Sequence, residues 1–449
     1  MNILPTMNMI PTNLKRLSLR FTCILLITQS TSNVNLHCTE TIMHEKQLDR
    51  TQIVLDSLAK QNASTIDPRL KDYKVKAMGE SNFTFYRATA HLFFEDFANG
   101  FITVPKSWQS PKFKSWIQGD FHLQNAGFFG PKQNLIYHLN DFDEAYRGYF
   151  YLDMIRLMSS LYLLDDALQE PASKQQIEKL TKHFVSSYKK GLTNEVFSDQ
   201  KLPKVLVKLK KKLLKKKDLN TLLDKWTVLD DKSRQFNLSL ERLDAVPSTK
   251  KDQLLSLLAE NYNVKDIAMR LYSGLGSLGV EKYYFLDEGD STHTLDDRMF
   301  ELKEQILSKV AQTQIDKDAY FEEFDNHAQR AQVGTDALLP IDSKYDLIVT
   351  DTKSYGIKEI SPYKKGLEKF KTIDDLKDYV KYLGVILAQS HLKSTKEDNS
   401  LDYHQFKASL KTFFDKDDNL SELVNLSKTY AQQVNEDFII YKHNILYKD

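Results

Sequence analysis

A chain of 449 residues is long enough for two or three ordinary domains with a sizeable core, and 41% hydrophobic with 27% charged residues excludes a disordered chain. The net charge of +1 gives no global field for nucleic acid, and no apolar run approaches the length of a membrane-spanning helix. The only two cysteines, Cys23 and Cys38, both near the N-terminus, exclude a disulfide framework or cysteine-rich metal site from the body of the protein.

Residues 1–42 read as a leader or disordered segment, in which Phe21 to Thr28 follows Lys15, Arg16 and Arg20 in the order of a weak signal peptide. Residues 44–62 are expected to be helical, with Ile53, Leu55, Leu58 and Ala59 as the apolar positions, until Asp67-Pro68 breaks the pattern. Phe83 to Phe97 follows as an aromatic-rich helix carrying Tyr86, Arg87, His91 and Glu95. Ser115 to Gln118 and Leu135 to Leu139 are short strands. Leu152 to Leu164 and residues 172–200 are helices. Lys204 to Lys217 contains eight lysines with Leu206, Leu209 and Leu213 on one face, a basic amphipathic helix with a solvated lysine side.

Near residue 265 the pattern turns to strands, at Ile267–Tyr272, Glu281–Asp287 and Met299–Gln305. Residues 316–334 are expected to be one helix. Tyr345–Thr350 and Tyr355–Ile360 read as a hairpin, and Asp374–Ser390 as a helix ending in His391. The last helices run about 403–415 and 420–445, and no internal repeat is present. The expected class is α+β. Its parts would be a helical lobe over 43–264, a β-rich lobe over 265–370, and C-terminal helices over 371–449 packing on the helical lobe.

Two acidic loops carry the chemistry. Gly119-Asp120-Phe121-His122-Leu123-Gln124-Asn125 follows the first short strand, and Asn140-Asp141-Phe142-Asp143-Glu144 ends the second. Phosphoryl transfer needs a carboxylate beside the attacking hydroxyl, oxygen ligands for magnesium, and groups that hold phosphates. Asp120 can serve as the carboxylate, and Asn125, Asp141 and Asp143 as metal ligands. His122 either braces the loop or binds metal. The bland reading of Asn-Asp-Phe-Asp is a strand-to-turn connection satisfied by its own side chains.

Gly274-x-Gly276-x-x-Gly279 lies between two strand patterns, where a dinucleotide fold would instead open a helix. Strand–glycine loop–strand is the arrangement that covers nucleotide phosphates in kinases; a tight hairpin is the plain alternative. Gly274, Gly276, Ser277 and Gly279 are therefore candidate phosphate-loop residues. Lys303, mid-strand among apolar residues, needs an anionic partner such as nucleotide phosphate. Glu322 and Glu323 are candidates for an accompanying ion pair.

The loop Gly119 to Asn125 resembles the catalytic loop of aminoglycoside and choline phosphotransferases, and more broadly the protein-kinase-like fold. The resemblance implies that Asp120 is the catalytic base, Asn125 and Asp141 bind magnesium, and Asp153 braces the catalytic loop. In those enzymes the glycine loop and lysine come first, whereas here Gly274 to Lys303 follow the catalytic loop. Leu383-Gly384 to His391, which resembles the helix that normally leads into that loop, lies near the C-terminus. The order is that of a two-lobed kinase-like fold, circularly permuted.

A closer resemblance, over nearly all the chain after residue 50, is to the bacterial family called domain of unknown function 2252. Ser81–Ala88, Gly119–Gly127, Asn140–Ala145, Gly274–Gly279, Leu302-Lys303-Glu304 and Tyr355–Glu359 carry it. Ala88 and Ala126 stand where that family usually has Gly and an aromatic residue.

The expected function is an ATP- and magnesium-dependent phosphotransferase acting on a hydroxyl-bearing small molecule. Arg87 and Asp153 would be supporting residues, and no nucleic acid or membrane span is expected. The alternatives are a nucleotide-binding pseudoenzyme or adaptor, and a metallophosphoesterase. ATP dependence favours the cytoplasm; the N-terminal stretch leaves export as the alternative.

Overall fold

The computed structural model describes residues 50–63, 67–164, 167–193, 201–230, 233–272, 274–276, 278–289, 291, 296–314 and 317–447. The leader 1–42 and residues 194–200 of the expected 172–200 helix lie outside the described residues. Thr51–Asp449 forms one compact unit, and its architecture is mixed α and β.

Four helices come first: α1 (residues 50–62), α2 (Pro68–Met78), α3 (Asn82–Ala88) and α4 (Ala90–Ala98). Strands β1 (Lys114–Ile117), β2 (Ala126–Phe129), β3 (Ile136–Leu139) and β4 (Tyr146–Tyr149) follow, then helices α5 (Phe150–Tyr162), α6 (Lys174–Gly191), α7 (Lys204–Lys216) and α8 (Leu219–Trp226). Next are β5 (Thr227–Leu229), β6 (Arg234–Phe236), β7 (Leu243–Asp244), α9 (Ser248–Leu258), β8 (Val264–Arg270), β9 (Lys282–Asp287) and β10 (Arg298–Gln305). The chain continues through α10 (Lys309–Gln314), α11 (Lys317–Glu323), α12 (His327–Leu338), β11 (Asp346–Val349), β12 (Ser354–Glu359) and β13 (Lys365–Gly366). It ends in α13 (Ile373–Glu397), α14 (Tyr403–Phe414) and α15 (Asp417–Tyr441).

Strand pairing places the two acidic loops. β1 pairs antiparallel with β4, Ile117 opposite Tyr146, and β2 pairs antiparallel with β3, Ala126 opposite Leu139. The segments 118–125 and 140–145 therefore leave the same ends of these two ribbons. Beneath them α5, α6, α13 and α15 share the largest core, with Phe150, Ile155, Leu157, Phe184, Leu383 and Val434 buried. Gly384 lets α13 approach α6: a Cβ there would lie 2.7 Å from the Phe184 carbonyl oxygen.

The main sheet has six strands in the order β11-β12-β10-β9-β8-β7, antiparallel throughout. Alternation gives it two unlike faces. Tyr283, Phe285, Phe300, Leu302, Tyr355 and Ile357 pack with Leu254 and Leu258 of α9. The opposite face is apolar where Tyr284, Leu286 and Met299 meet Trp226 and Phe236. Elsewhere that face carries Lys282, Lys303, Glu301 and Lys358.

Several elements differ from the sequence expectation for identifiable reasons. Phe83–Phe97 is two helices, because Thr89 leaves the helical region (φ −117°, ψ 39°) and its hydroxyl donates to the Phe85 carbonyl at 2.8 Å. Residues 316–334 also divide, since Asn326 caps α12 through its side chain, which accepts from the Gln329 N–H at 2.9 Å. α13 runs past His391 to Glu397, with no glycine or proline there to stop it. The cover of the sheet begins at residue 219 with α8, not at 265. The hairpin β11–β12 and the strands at 282–287 and 298–305 stand where the pattern puts them.

Candidate functional site

The first acidic loop is fixed from below. Asp153, in the first turn of α5, accepts the backbone N–H of Gln118 at 2.7 Å and of Gly119 at 2.9 Å. His391 places Nε2 at 3.3 Å from the same carboxylate, and its Nδ1 is 2.7 Å from the Tyr188 hydroxyl. Gly119 has φ +85°, and a Cβ there would lie 2.4 Å from the Glu144 carbonyl oxygen, so only glycine lets the two loops touch. Gln118 ties them further, donating to the Asp141 carbonyl at 3.0 Å and to the Asn140 carbonyl.

Asp120 accepts Nε–H of Arg156 at 2.7 Å. Arg156 is fully buried, 4.1 Å above the Tyr86 ring, and donates to the Tyr86 carbonyl at 3.0 Å. Burial pushes the Asp120 carboxyl up to about 7; Arg156 opposes this, while Glu144 and Asp141 add to it. His122 Nε2 stands 3.9 Å from Asp120, and its Nδ1 accepts the Gln124 N–H at 3.2 Å. Burial, with Arg87 and Arg156 nearby, holds this imidazole well below its usual value, so it is neutral. Asn125 donates Nδ2–H to the Asp120 carbonyl at 2.9 Å, which orients its Oδ1 away from that contact.

The second loop meets the sheet. Asp141 adopts φ +63°, a left-handed conformation that Asp tolerates better than most side chains. Partial desolvation at the loop and the adjacent Asp143 push its carboxyl up, though half of the side chain is exposed. Asp143 Oδ2 takes the Lys303 ammonium and Oδ1 accepts from Gln305 at 3.1 Å. Burial alone would raise Asp143, but Lys303 overrides it and holds the carboxyl well below the usual range. Lys303 also lies 3.8 Å from Asp141, and these carboxylates keep it charged against the cost of burial. Glu323, one expected partner for Lys303, instead pairs with Arg147 at 2.5 Å.

Lys303 is not alone on its face. Lys282 is its cross-strand neighbour, and Lys358 stands opposite Glu301. Burial and the Lys303 charge bring Lys282 down to about 8, and burial also lowers Lys358. Glu301 is held at about 2, where Lys282 and Lys364 outweigh its burial. Arg330 pins the loop from α12, donating to the carbonyls of Phe142 at 3.3 Å, Ala145 at 3.1 Å and Ile306 at 3.1 Å.

The connection between β8 and β9 carries the glycines, with Gly274 at φ +74° and Gly279 at φ +105°. Gly276 lies against the Arg87 carbonyl, 3.4 Å from where a Cβ would stand. Ser277 lies outside the described residues. One cleft brings the loops together: Asp120, His122, Asn125, Asp141, Asp143 and Glu144 line it with Gly274, Gly276, Arg87, His91 and Lys309. Arg87 donates to the Gln124 side chain at 2.9 Å. Gly279, Lys303 and Asp153 lie outside this lining; Lys303 reaches it through Asp141 and Asp143, and Asp153 through Gly119.

Sequence reasoning missed Gln118, Arg156, Arg330, Lys282 and Lys358. A buried arginine in an apolar helix signals a carboxylate partner, so Arg156 was findable. Lys282 and Lys358 needed the strand register, and Gln118 carries no sequence signal. Among the described residues no cluster of three or more His, Cys, Asp and Glu is arranged for a metal ion. The oxygen set here is Asp141 with the Asn125 amide, which suits a hard cation that keeps waters and shares phosphate ligands. Asp143, with both oxygens engaged, would have to share with Lys303.

The model of a family described as uncharacterized protein conserved in bacteria (DUF2252) matches residues 66–444. No curated protein and no solved structure matches the chain. Among the described residues no helix is long and apolar enough to cross a membrane.

Proposed function

We propose that the chain, which belongs to that bacterial family, is an ATP- and magnesium-dependent phosphotransferase acting on a hydroxyl-bearing small molecule, built as a circularly permuted, two-lobed kinase-like fold. One observation carries the reading: Asp120, Asn125 and Asp141 line the same cleft as Gly274 and Gly276. A kinase-type site needs these groups to converge. Lys303 stands on the third strand of the run that begins before the glycine loop, the place a phosphate-binding lysine takes in kinases.

In this reading the acceptor hydroxyl oxygen attacks the γ-phosphorus of ATP, the bond to the β–γ bridging oxygen breaks, ADP leaves, and Asp120 receives the hydroxyl proton. A carboxyl poised near 7 suits that transfer at neutral pH. Asn125 and Asp141 would hold magnesium, which supplies charge neutralisation at the phosphates. Lys303, Lys282 and Lys358 line the sheet face beside them and would offset the remaining negative charge. His122, neutral and with Nδ1 committed to the backbone, orients the loop rather than ligating metal, which disfavours a metallophosphoesterase.

The test is transfer from ATP to a panel of hydroxyl acceptors with and without magnesium. Wild-type protein should form ADP and phosphorylated acceptor only with the metal, and Asp120→Asn should bind Mg·ATP yet transfer about 10²–10⁴-fold more slowly. Wild-type transfer rates from that variant would falsify the assignment of Asp120.

A further inference from the structure

A second group of basic side chains is left unused by the proposed chemistry: Arg87, His91 and Lys309 line the cleft, and Lys74 lies outside its lining. His91 of α4 is 5% exposed and Lys74 of α2 is 3% exposed. The Nε2 of His91 and the Nζ of Lys74 are buried without a hydrogen-bond partner, as is the Nε of Arg87. Lys309, at the start of α10, is 7% exposed, lines the cleft beside Arg87 and His91, and makes no side-chain ion pair within 4 Å among the described residues. Burial and the Lys309 and Lys74 charges hold the His91 imidazole neutral; an unpaired buried cation such as Lys74 and an unpaired buried ring nitrogen such as His91 Nε2 are both costly in a protein interior, and they persist where a ligand completes them.

These groups form a set distinct from the lysines of the sheet. The charges acting on His91 are Lys309, Lys74, Arg156 and Lys60; those acting on Lys303 are Asp141, Asp143 and Glu301. Asp120 feels the charges of both Arg156 and Asp141. Lys303 already faces Asp141 and Asp143 of the loop proposed to hold magnesium. Asp120 and Glu144 line the same cleft, and Glu144 accepts the Lys309 backbone N–H.

The two-residue geometry at Thr89 serves this arrangement. Because the helix breaks there, Arg87, Ala88, Ala90 and His91 all line the cleft, and the two alanines leave room between the basic groups. α10 packs on α4 and delivers Lys309 to the same place.

We propose that Arg87, His91 and Lys309, with the buried Lys74 charge adding to their field, form a binding site for an anionic group on the acceptor, so that the substrate is a hydroxyl compound bearing a phosphate or carboxylate. This rests on the phosphotransferase reading of the same cleft. It also sets the chain apart from phosphotransferases whose acceptors are amines, since a cationic acceptor would meet like charge here. Burial and the Lys309 charge bring Lys74 down to about 8, the mark of a cation without its partner.

The experiment has a binding arm and a transfer arm, both on the full chain. Calorimetry with inorganic phosphate and with glycerol 3-phosphate, in the absence of nucleotide, should show binding that Lys74→Met and Lys309→Met each weaken about tenfold. Mg·ATP affinity should stay within about twofold in both variants. Lys74→Met should also raise the melting temperature, because it removes an unpaired buried charge. Transfer should favour glycerol 3-phosphate over glycerol, and glucose 6-phosphate over glucose and glucosamine, by at least about tenfold.

Absence of phosphate binding at millimolar concentration, or equal use of neutral and cationic acceptors, overturns the proposal. So does a parallel loss of Mg·ATP affinity in the variants, which would assign these cations to the nucleotide. If anion binding and its loss in the variants are found but no acceptor is phosphorylated, the anion site stands and the phosphotransferase reading falls.

Discussion

Two aspartate–cation pairs flank the cleft, and they are tuned in opposite directions. Asp120 bonds a fully buried arginine yet burial raises its carboxyl to about 7. Asp143 bonds a buried lysine and is held well below the usual carboxylate range. The difference lies in what surrounds each pair. Arg156 spends its charge partly on Tyr86 and its carbonyl, and Asp120 feels Glu144 and Asp141 as like charges. Asp143 has Lys303 directly on one oxygen, Gln305 on the other, and Lys358 nearby. Two carboxylates pushed apart in this way divide the labour: one exchanges a proton near neutrality, the other stays ionised.

Their contributions to stability also run oppositely with pH. Asp143, depressed on folding, stabilises the fold above its unfolded value, and that contribution is lost as the pH falls through its folded value. Asp120, raised on folding, binds a proton in the folded state that the unfolded chain has already released. Its contribution therefore falls as the pH rises from the ordinary carboxylate value to about 7.

The largest expected effect is at Asp120. Asp120→Asn keeps an acceptor for Arg156 and should lower transfer by about 10²–10⁴-fold while Mg·ATP binding is retained. Asp120→Ala should behave differently, because it strands a buried guanidinium; a loss of about 3–5 kcal/mol in urea unfolding is expected. If the two variants unfold at the same urea concentration, Arg156 is not held by this carboxylate. Lys303→Met comes next. It should weaken Mg·ATP binding about 10–100-fold by calorimetry and release Asp143 from its low value, without the unfolding seen for Asp120→Ala.

How much of this was legible in the sequence follows from which contacts are local. The residues of the two acidic loops were, since Gly119 to Asn125 and Asn140 to Glu144 are contiguous and chemically unusual. The sheet strands were too, through their alternation. What joins them was not. Lys303 was singled out, but its partner was sought on a helix 20 residues on, whereas the strand register delivers it to Asp143, 160 residues earlier. Lys282 and Lys358 become neighbours of Lys303 only once β9, β10 and β12 are paired. The short strands β2 and β4 each contain a glycine, which weakens their intrinsic preference, and their pairing with β3 and β1 completes the extended form. Arg87 and His91 were legible as candidates to line an acceptor pocket, but Lys74 was not, because its lack of a partner is a property of the packed structure.

A smaller effect follows from Glu144, whose charge helps to raise Asp120. Transfer measured as kcat/KM should rise with pH up to about 7 and then level, as the base loses its proton. Glu144→Gln should move that limb to lower pH, by less than about one unit, while the plateau rate changes little. A limb that stays in place, or moves upward, would show that Glu144 does not act on Asp120 through charge.

The smallest effect is expected on α7, where charge is abundant but idle. Leu206 and Leu213 are buried and Leu209 packs beside them, so the apolar stripe holds the helix to the core. Lys208, Lys211, Lys212, Lys215 and Lys216 face solvent. Lys210 differs from them, donating to the Leu135 carbonyl at 2.9 Å just before β3, the strand that leads into the second acidic loop. Lys211→Ala should change unfolding by no more than about 0.5 kcal/mol, whereas Lys210→Met should cost about 1 kcal/mol through the lost hydrogen bond. Neither should alter Mg·ATP or phosphate binding, since the charge that matters at the cleft is buried, whereas the charge on α7 is screened by water and salt. A fall in phosphate affinity with Lys211→Ala, measured in physiological salt, would show that this helix contributes to the field at the cleft after all.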